Sequence, residues 1–203
     1  MVAIRLIVMK VYRISFLIVF ISSFFAQAQK FDLFEIENNE LIWRYTYEYE
    51  RAADSLRSEI TTMIKSKAFT RNVTRNNIGD GGVGYYGEIQ HYQIDCEHYG
   101  RKYQNTPLIY WSGEWSGKFV IEVRDNRYQV TIYGLYFENK PIKTPSPHQA
   151  KNPRKGYYIK EVWQKGSPTF KKNVTDDMVL MSLSLRDAFD IKNYVSPVRL
   201  LQD

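Results

Sequence analysis

The sequence predicts an α+β fold, in which about five antiparallel strands in the order β-α-β-β-β-β-α form one sheet and two helices cover one of its faces. Two observations lead to this prediction. Residues 118–137 alternate between apolar and polar side chains on both arms of a tight turn, which is typical of a half-buried antiparallel hairpin. Residues 50–67 and 175–189 instead repeat apolar side chains every three or four positions, as amphipathic helices do. Two such helices would cover the apolar face of the sheet.

Residues 1–28 have the pattern of a cleavable signal peptide. Three basic residues and no acidic one accompany a twelve-residue apolar run broken only by serines, and a small-x-small motif predicts cleavage between Ala28 and Gln29. The apolar run is shorter than the ~20 residues of a membrane-spanning helix. We therefore expect an exported chain, periplasmic or secreted, with no membrane span after cleavage. Translation starts at Met1 or, in a shorter alternative, at Met9.

Charge and cysteine content exclude some classes of protein. The chain has 28 basic and 22 acidic residues, and three of the basic residues lie in 1–28. The excess that remains is small and dispersed, so the charge gives no reason to expect a nucleic-acid partner. Cys96 is the only cysteine, which excludes an internal disulfide and any metal site built on several cysteines. We expect its thiol to be buried; a reactive or intermolecularly paired thiol is the alternative.

The mature chain begins with three segments of different character. Residues 29–40 show no clear period, so we expect an irregular lead-in to a single α+β domain over 41–203. Residues 41–49 are rich in aromatic side chains and alternate, which predicts a strand. The period then changes to that of a helix over 50–67. The apolar stripe of this helix consists of Ala53, Leu56, Ile60, Met63 and Ile64.

The next part of the chain reaches the central hairpin through loops and short strands. Residues 69–82 are polar and end in a glycine cluster, so we expect a loop. Residues 83–96 alternate, but their apolar positions change parity near Gly87, which predicts a strand with a bulge at that glycine. Residues 97–107 form a turn region in this interpretation, and 108–111 form a short strand.

The hairpin has one register that sorts its residues by polarity. Asp125 and Asn126 form the turn, because both residue types tolerate the positive φ of a two-residue loop. Arg124 then lies opposite Arg127. The pairs that follow place six apolar residues on one face: Phe119, Ile121, Val123, Tyr128, Val130 and Ile132. The other face receives Lys118, Val120, Glu122, Gln129, Thr131 and Tyr133. A shift of one residue would exchange the two sets, so turn and pattern predict the same register.

The C-terminal third contains a loop, a strand and a helix. Residues 139–155 hold four prolines and five Lys or Arg residues, so we expect an exposed loop. Residues 157–163 are a candidate edge strand. Thr175 is the expected cap of the last helix, and Pro197 lies beyond its end. The stripe of this helix consists of Met178, Met181, Leu185, Ala188 and Phe189.

Two stretches of this chain resemble a known family. They are the hairpin run RDNRYQVTIYGLYFE and the strand-to-helix passage YTYEYERAADSLRSEI. With the element order given above, they are similar to a family of bacterial exported domains of unknown function that has a TATA-binding-protein-like (TBP-like) fold. The likeness covers roughly 41–138 and the final helix, while 112–117 and the proline-rich loop depart from it. The resemblance implies the fold and no catalytic or binding residues, and it does not imply DNA binding, because function depends on sites rather than folds.

Metal-binding and catalytic residue types are present without a working pattern. His91 and Asp95 would lie about 13 Å apart on an extended strand, at ~3.3 Å per residue, which is too far for one metal ion. We therefore predict a solvated strand end near His98 rather than a metal site. No nucleophile or zinc-protease motif is present. Two of the carboxylates Glu88, Asp95, Glu114 and Glu122 could pair as in glycosidases, but the sequence does not supply their separation.

The segment 111–117, WSGEWSG, is the most specific candidate for a binding site. Trp111 and Trp115 flank a glycine in a predicted turn, where two indole rings could stack against a sugar or a peptide. We expect these tryptophans to pack in the core or at its edge, as most aromatic residues of such a chain do, and a ligand contact is the alternative.

We therefore expect an exported, non-enzymatic protein of the cell envelope that binds a glycan or an envelope protein and needs no cofactor. One alternative is an envelope hydrolase that acts on glycans with Glu88, Asp95 and Glu114. Another is a dimer that forms through the edge strand at 157–163, since exposed edges pair readily.

Overall fold

The computed structural model describes residues 30–31, 33–38, 40–111, 113–138, 157–164 and 174–194. The predicted signal peptide, its cleavage site at Ala28 and Gln29, and the proline-rich loop at 139–155 lie outside the described residues.

The described residues form one antiparallel sheet and four helices. The strands are β1 (Lys30–Phe31), β2 (Phe34–Glu37), β3 (Glu40–Glu48), β4 (Thr70–Asn77), β5 (Val83–Tyr92), β6 (Glu114–Arg124), β7 (Arg127–Glu138) and β8 (Tyr157–Tyr158). The helices are α1 (Ala53–Ser66), α2 (Leu108–Trp111), α3 (Ile159–Gln164) and α4 (Thr175–Phe189), with 3-10 turns at Tyr103–Asn105 and Ile191–Asn193. The strand order is β1-β2-β3-β7-β6-β5-β4, and β8 pairs with the end of β7.

The central hairpin of β6 and β7 has the predicted register. Arg124 pairs with Arg127, Val123 with Tyr128, and the alternation continues to Lys118 opposite Tyr133. The turn residue Asn126 has a φ of 62°. All six predicted apolar residues are fully buried. The prediction is correct here because a long alternation and a turn with the required φ point to the same pairing.

Helices α1 and α4 cover the same face of the sheet, as predicted. Leu56, Ile60, Met63 and Ile64 of α1 are buried, and those of α4 include Met178, Met181, Leu185 and Phe189. Helix α4 is also tied to the sheet by hydrogen bonds. Trp43 Nε1 donates to Ser182 Oγ at 3.1 Å, and Tyr128 Oη donates to the Phe189 carbonyl at 2.8 Å. The α+β class with helices on one face is confirmed, and the sheet has a few more strands than predicted.

Two polar or short segments that were predicted to lack regular structure are strands. Residues 34–37 alternate as Phe-Glu-Ile-Glu and form β2, and Phe34 is fully buried. Four residues are too few for the period to be recognised. Residues 70–77 form β4, whose residues are polar except for Val73 and, after Thr70, exposed. Strand β4 lies at the edge of the sheet, where pairing to one neighbour requires no apolar alternation.

The bulge predicted at Gly87 lies further along β5. Pairing with β6 shifts between Ile89 and Tyr92, and His91 has a φ of 56°. Gly87 itself is paired opposite Phe119, and a Cβ on Gly87 would lie 2.6 Å from the Phe119 ring. The glycine therefore gives room to a buried ring, and the irregularity at its level belongs to β4, whose pairing with β5 shifts between Arg71 and Thr74.

Three predictions about secondary structure after residue 107 are wrong. Residues 108–111 form the helical turn α2 instead of a strand, because a four-residue apolar run fits either structure. Only Tyr157 and Tyr158 of the predicted edge strand are extended, and α3 follows them. Thr175 does not cap α4, because it is the first helical residue and Val174 occupies the cap position.

None of the described helices is long and apolar enough to cross a membrane.

A candidate binding site on the open face of the sheet

Helices α1, α3 and α4 leave one face of the sheet uncovered within the described residues. The side chains on this open face belong to the second set of the hairpin register and to their neighbours in β3 and β5. Most of them are half-buried: Arg44, Tyr86, Val120, Glu122, Gln129, Thr131 and Tyr133. The open face is therefore more polar than the covered face, yet its side chains pack against one another.

Two β-bulges lie side by side on the two strands that flank Gly117 of β6. On one flank, the pairing moves from Ile89 opposite Gly117 to Tyr92 opposite Trp115, which leaves one extra residue in β5. On the other flank, the pair of Lys118 with Tyr133 is followed by Ser116 with Tyr136, which leaves one extra residue in β7. Bulges bend a strand and change the direction of nearby side chains. This level of the sheet is therefore shaped differently from the regular hairpin.

A cavity of about 390 Å³ opens on this face beside the two bulges. We call it the sheet cavity. Its lining residues are Glu40, Glu88, Ile89, Gln90, Ser116, Gly117, Lys118, Tyr133, Gly134, Tyr136 and Tyr158. The volume lies in the lower part of the range of small-molecule sites, which is roughly 300–1,000 Å³. The strands β3, β5, β6, β7 and β8 all contribute to it, so the cavity depends on the assembled sheet.

The aromatic part of the sheet cavity consists of three tyrosines. Tyr136 and Tyr158 face each other across the short β7–β8 pairing, with ring centroids 5.2 Å apart and planes at 66°. Tyr158 is 53% exposed, whereas Tyr133 and Tyr136 are half-buried. A tyrosine offers an apolar ring and a hydroxyl that can donate or accept a hydrogen bond.

The charged part of the sheet cavity is asymmetric. Glu88 and Lys118 are direct cross-strand neighbours, so their opposite charges lie side by side. Glu88 Oε2 also accepts hydrogen bonds from Gln90 Nε2 and Asn72 Nδ2, both at 2.9 Å. Glu40 lies on the other side, from β3. A Cβ on Gly134, whose φ is 63°, would lie 3.6 Å from Glu40 Oε1, so the carboxylate reaches over this glycine.

The structure does not bring the two predicted tryptophans together in an exposed turn. Trp115 lies inside β6 and is fully buried, stacked on Tyr110 at 5.7 Å and 5.3 Å from the Phe137 ring. A Cβ on Gly113 would lie 2.0 Å from Phe137 Cε2 and 2.1 Å from the Ile109 carbonyl oxygen. This glycine therefore allows tight packing and does not make the segment flexible. Trp115 is a core residue, as the favoured interpretation of the sequence expects, and the alternative of a ligand contact at this ring does not fit its burial.

Trp111 ends α2 and is half-buried. Its ring contacts Tyr103 edge-to-face, with centroids 5.4 Å apart, and Tyr103 is 60% exposed. Trp111 does not line the sheet cavity. Trp111 packs against the hydrophobic core, and Tyr103 covers its exposed side.

The carboxylates and histidines considered from the sequence lie in separate places. Glu88 lines the sheet cavity, while Glu114 Oε2 lies 2.6 Å from His91 Nδ1 outside it. Asp95 accepts a hydrogen bond from the His98 backbone at 3.1 Å, which closes a turn. Within the described residues, no group of three or more His, Cys, Asp or Glu side chains is arranged to hold a metal ion.

The single thiol, Cys96, is buried as expected. Its Sγ donates to the Tyr110 carbonyl at 3.2 Å, and burial raises the pKa of the thiol above its usual value. A raised pKa keeps the sulfur protonated, so it is a poor nucleophile.

A second, larger cavity of about 960 Å³ lies at the hairpin tip, next to the start of α1. Three of its eight charged lining residues bond to neighbouring turns of the protein. Arg57 donates to Asp54 Oδ1 at 2.6 Å and to the Gly81 carbonyl, while Asp125 Oδ1 accepts the Ala53 amide at 3.0 Å. These contacts hold the turns together, so we interpret this cavity as a structural junction.

Sequence reasoning placed Lys118 and Tyr133 on the correct face but did not identify the sheet cavity. The signal that could have found it is the pair of glycines within alternating strands, Gly117 and Gly134. An interior glycine in a strand often marks a bulge or a close backbone approach. The contribution of Tyr158 depends on the β7–β8 pairing, for which the sequence holds no local signal.

Comparisons with known proteins give two solved structures that are similar to this chain. One is a TBP-like protein from Parabacteroides distasonis, with 16% sequence identity and a TM-score of 0.43 over 79% of this chain and 97% of the other. The other is a DUF4468 family protein from Bacteroides ovatus, with 9% identity and a TM-score of 0.37 over 81% of this chain and 91% of the other. Both are of the kind that the sequence resemblance names: a TBP-like protein and a bacterial domain of unknown function. No family model and no curated protein matches the sequence.

Proposed function

We propose that this chain is a non-enzymatic binding module of the bacterial cell envelope and that it binds a glycan in the sheet cavity. The observation that carries the proposal is the cavity itself, which joins three tyrosine rings to carboxylate, amide and hydroxyl groups on the open face. Export is part of the proposal and is supported by the signal-peptide pattern of residues 1–28.

The composition of the sheet cavity favours a sugar among possible ligands. Sugar rings have apolar faces, which pack on tyrosine rings, and hydroxyl groups, which bond to carboxylates and amides such as those of Glu88 and Gln90. A nucleic acid is a poor candidate, because the phosphates would approach Glu40 and Glu88 with only Lys118 to balance them.

The carboxylates support binding over hydrolysis. A glycosidase needs two carboxyl groups across one sugar bond, about 5–10 Å apart. Of the carboxylates proposed from the sequence, only Glu88 lines the cavity, and it already accepts two amide hydrogen bonds. The other carboxylate of the cavity, Glu40, lies three strands away in β3, about 14 Å at ~4.8 Å per strand. Glu114 is engaged by His91, and Asp95 closes a turn.

The proposal is tested by calorimetric titration of the purified protein with peptidoglycan fragments and common polysaccharides, while product release is followed in the same samples. We expect binding without product. Replacement of Tyr136 by alanine should weaken binding at least tenfold, because the ring would no longer pack on the sugar. Tyr103→Ala is the matched control, since Tyr103 is an exposed tyrosine outside the cavity.

Two results would contradict the proposal. Equal losses in Tyr136→Ala and Tyr103→Ala would place binding elsewhere or make it non-specific. Release of product by the unaltered protein would instead favour the envelope hydrolase and direct attention to Glu88.

A further inference from the structure

We infer that the glycan bound in the sheet cavity carries a free, positively charged amino group and that Glu40 is the residue that recognises it. The inference rests on the proposed function, because it names the chemical class of ligand for the same cavity. It follows from how the three charged groups of the cavity are distributed.

The positive charge of the cavity has a negative neighbour. Lys118 lies directly across from Glu88 in the β5–β6 pairing, where opposite charges attract each other. Glu88 in turn accepts hydrogen bonds from Gln90 and Asn72. The Glu88 carboxylate therefore has hydrogen-bond partners before any ligand arrives.

Glu40 is the carboxylate of the cavity that remains without a partner among the described residues. Its carboxylate has no hydrogen bond or ion pair within the residues that the structure describes, although Glu37, its partner in the β2–β3 pairing, is held by Arg44. The Arg44 guanidinium lowers the pKa of Glu37, which keeps that neighbour negative. The Arg44 charge is thus taken up by Glu35 and Glu37, and Glu40 presents an unpaired negative charge to the cavity.

The position of Glu40 suits a ligand lying on the tyrosines. The carboxylate reaches over Gly134, which lies between Tyr133 and Tyr136 in β7. A sugar packed on those rings would therefore present one edge to Glu40. An ammonium group on that edge forms a charge-assisted hydrogen bond, whereas an acetylated amine offers only a neutral donor, and an acidic sugar is repelled.

The test compares two ligands that differ only in this group: oligomers of glucosamine and the same oligomers after N-acetylation. At a pH at which the amine is charged, the amine form should bind about tenfold more tightly, as expected for one charge-assisted hydrogen bond. The preference should decrease as salt is added. Glu40→Gln should abolish the preference while keeping the affinity for the acetylated oligomer.

Two further variants isolate the role of Glu40. Glu48→Gln is the matched control, because Glu48 lies on the same face at the other end of β3 and outside the cavity. It should leave the preference unchanged. Lys118→Gln removes the opposing positive charge and should increase the preference for the amine form.

The outcomes separate this inference from the proposed function. Equal binding of both oligomers, or a preference that survives in Glu40→Gln, overturns the amine inference and leaves glycan binding in the cavity intact. Absence of binding to all glycans overturns both. A linear diamine without sugar rings serves as the third ligand: if it binds as tightly as the amine oligomer, the cavity recognises a cationic chain and the assignment to amino sugars is wrong.

Discussion

Tyr136 and Phe137 are consecutive residues of β7, yet they belong to regions with different roles. Phe137 faces the helices, is 5% exposed and packs on the Trp115 ring. Tyr136 faces the other way and lines the sheet cavity with Tyr158. The same alternation thus builds a dry aromatic core on one face and a half-buried polar surface on the other. We therefore expect stability to depend on the covered face and ligand binding to depend on the open face.

The largest effect is expected on the covered face at Trp115. Trp115→Ala should lower the free energy of unfolding by about 3–5 kcal/mol, because it removes a fully buried ring and leaves a cavity. Urea unfolding followed by circular dichroism measures the change. Trp115→Phe is the control, since Trp115 Nε1 has no hydrogen-bond partner among the described residues and a smaller ring keeps much of the packing. A cost below about 1 kcal/mol for the alanine variant would contradict the burial of this tryptophan.

The next effect concerns the tight segment before β6. Gly113→Ala should destabilise the protein by about 1–3 kcal/mol, because the added methyl group would collide with Phe137 and the Ile109 carbonyl. Gly117→Ala provides the comparison, since its Cβ would meet its nearest atom at 3.3 Å. Thermal unfolding of the two variants side by side measures both costs. If Gly113→Ala is the milder change, the WSGEWSG segment is looser than the packing around Trp115 implies.

A smaller effect should appear at Tyr47, where burial raises the pKa of the phenol above its usual value of 10. Tyr47 Oη donates to the Arg186 carbonyl at 2.6 Å, so Tyr47→Phe should cost about 1 kcal/mol at neutral pH. A raised folded-state pKa means that this stability is complete below pH 10 and is lost as the pH rises further. The stability gap between the protein and Tyr47→Phe should therefore narrow between pH 9 and pH 11. If urea titrations show that the stability difference widens over this range, the raised pKa of Tyr47 in the folded state is contradicted.

The smallest effect on stability is expected on the open face at Tyr158. Tyr158→Ala should change the free energy of unfolding by no more than about 0.5 kcal/mol, because the side chain is 53% exposed. The same variant should lose most of its glycan affinity. This combination, small in unfolding and large in binding, is the reverse of that expected for Trp115→Ala. If Trp115→Ala and Tyr158→Ala each lowered the free energy of unfolding and the glycan affinity in the same proportion, the two faces would not have separate roles.

The sequence predicts the covered face better than the open face, for physical reasons. Burial against helices requires a long and uninterrupted apolar alternation, and this is why the register from Phe119 to Ile132 could be derived. Polar edge strands such as β4 need no such pattern. The WSGEWSG segment left a ligand contact open beside core packing, because two tryptophans beside glycines also occur in exposed turns. In the structure Gly113 makes room for core packing.

The sheet cavity depends on features that no single stretch encodes. It needs an extra residue in β5 and another in β7 at the level of Gly117, and it needs β8 to pair beside Tyr136. Each bulge is a local backbone conformation that pairing with the neighbouring strands stabilises. Only the assembled sheet therefore brings Glu40, Glu88 and Tyr158 to one cavity.

Binding on the open face is tested most directly by amide chemical shifts of the isotopically labelled protein during titration with glycan fragments, because the shifts map the ligand contacts. If the glycan binds in the sheet cavity, the shifted amides should cluster in 88–90, 116–118 and 133–136 and spread little to the helices. Shifts centred instead on Tyr103 and Trp111, or on the hairpin tip around Asn126, would contradict the claim that the open face binds the ligand.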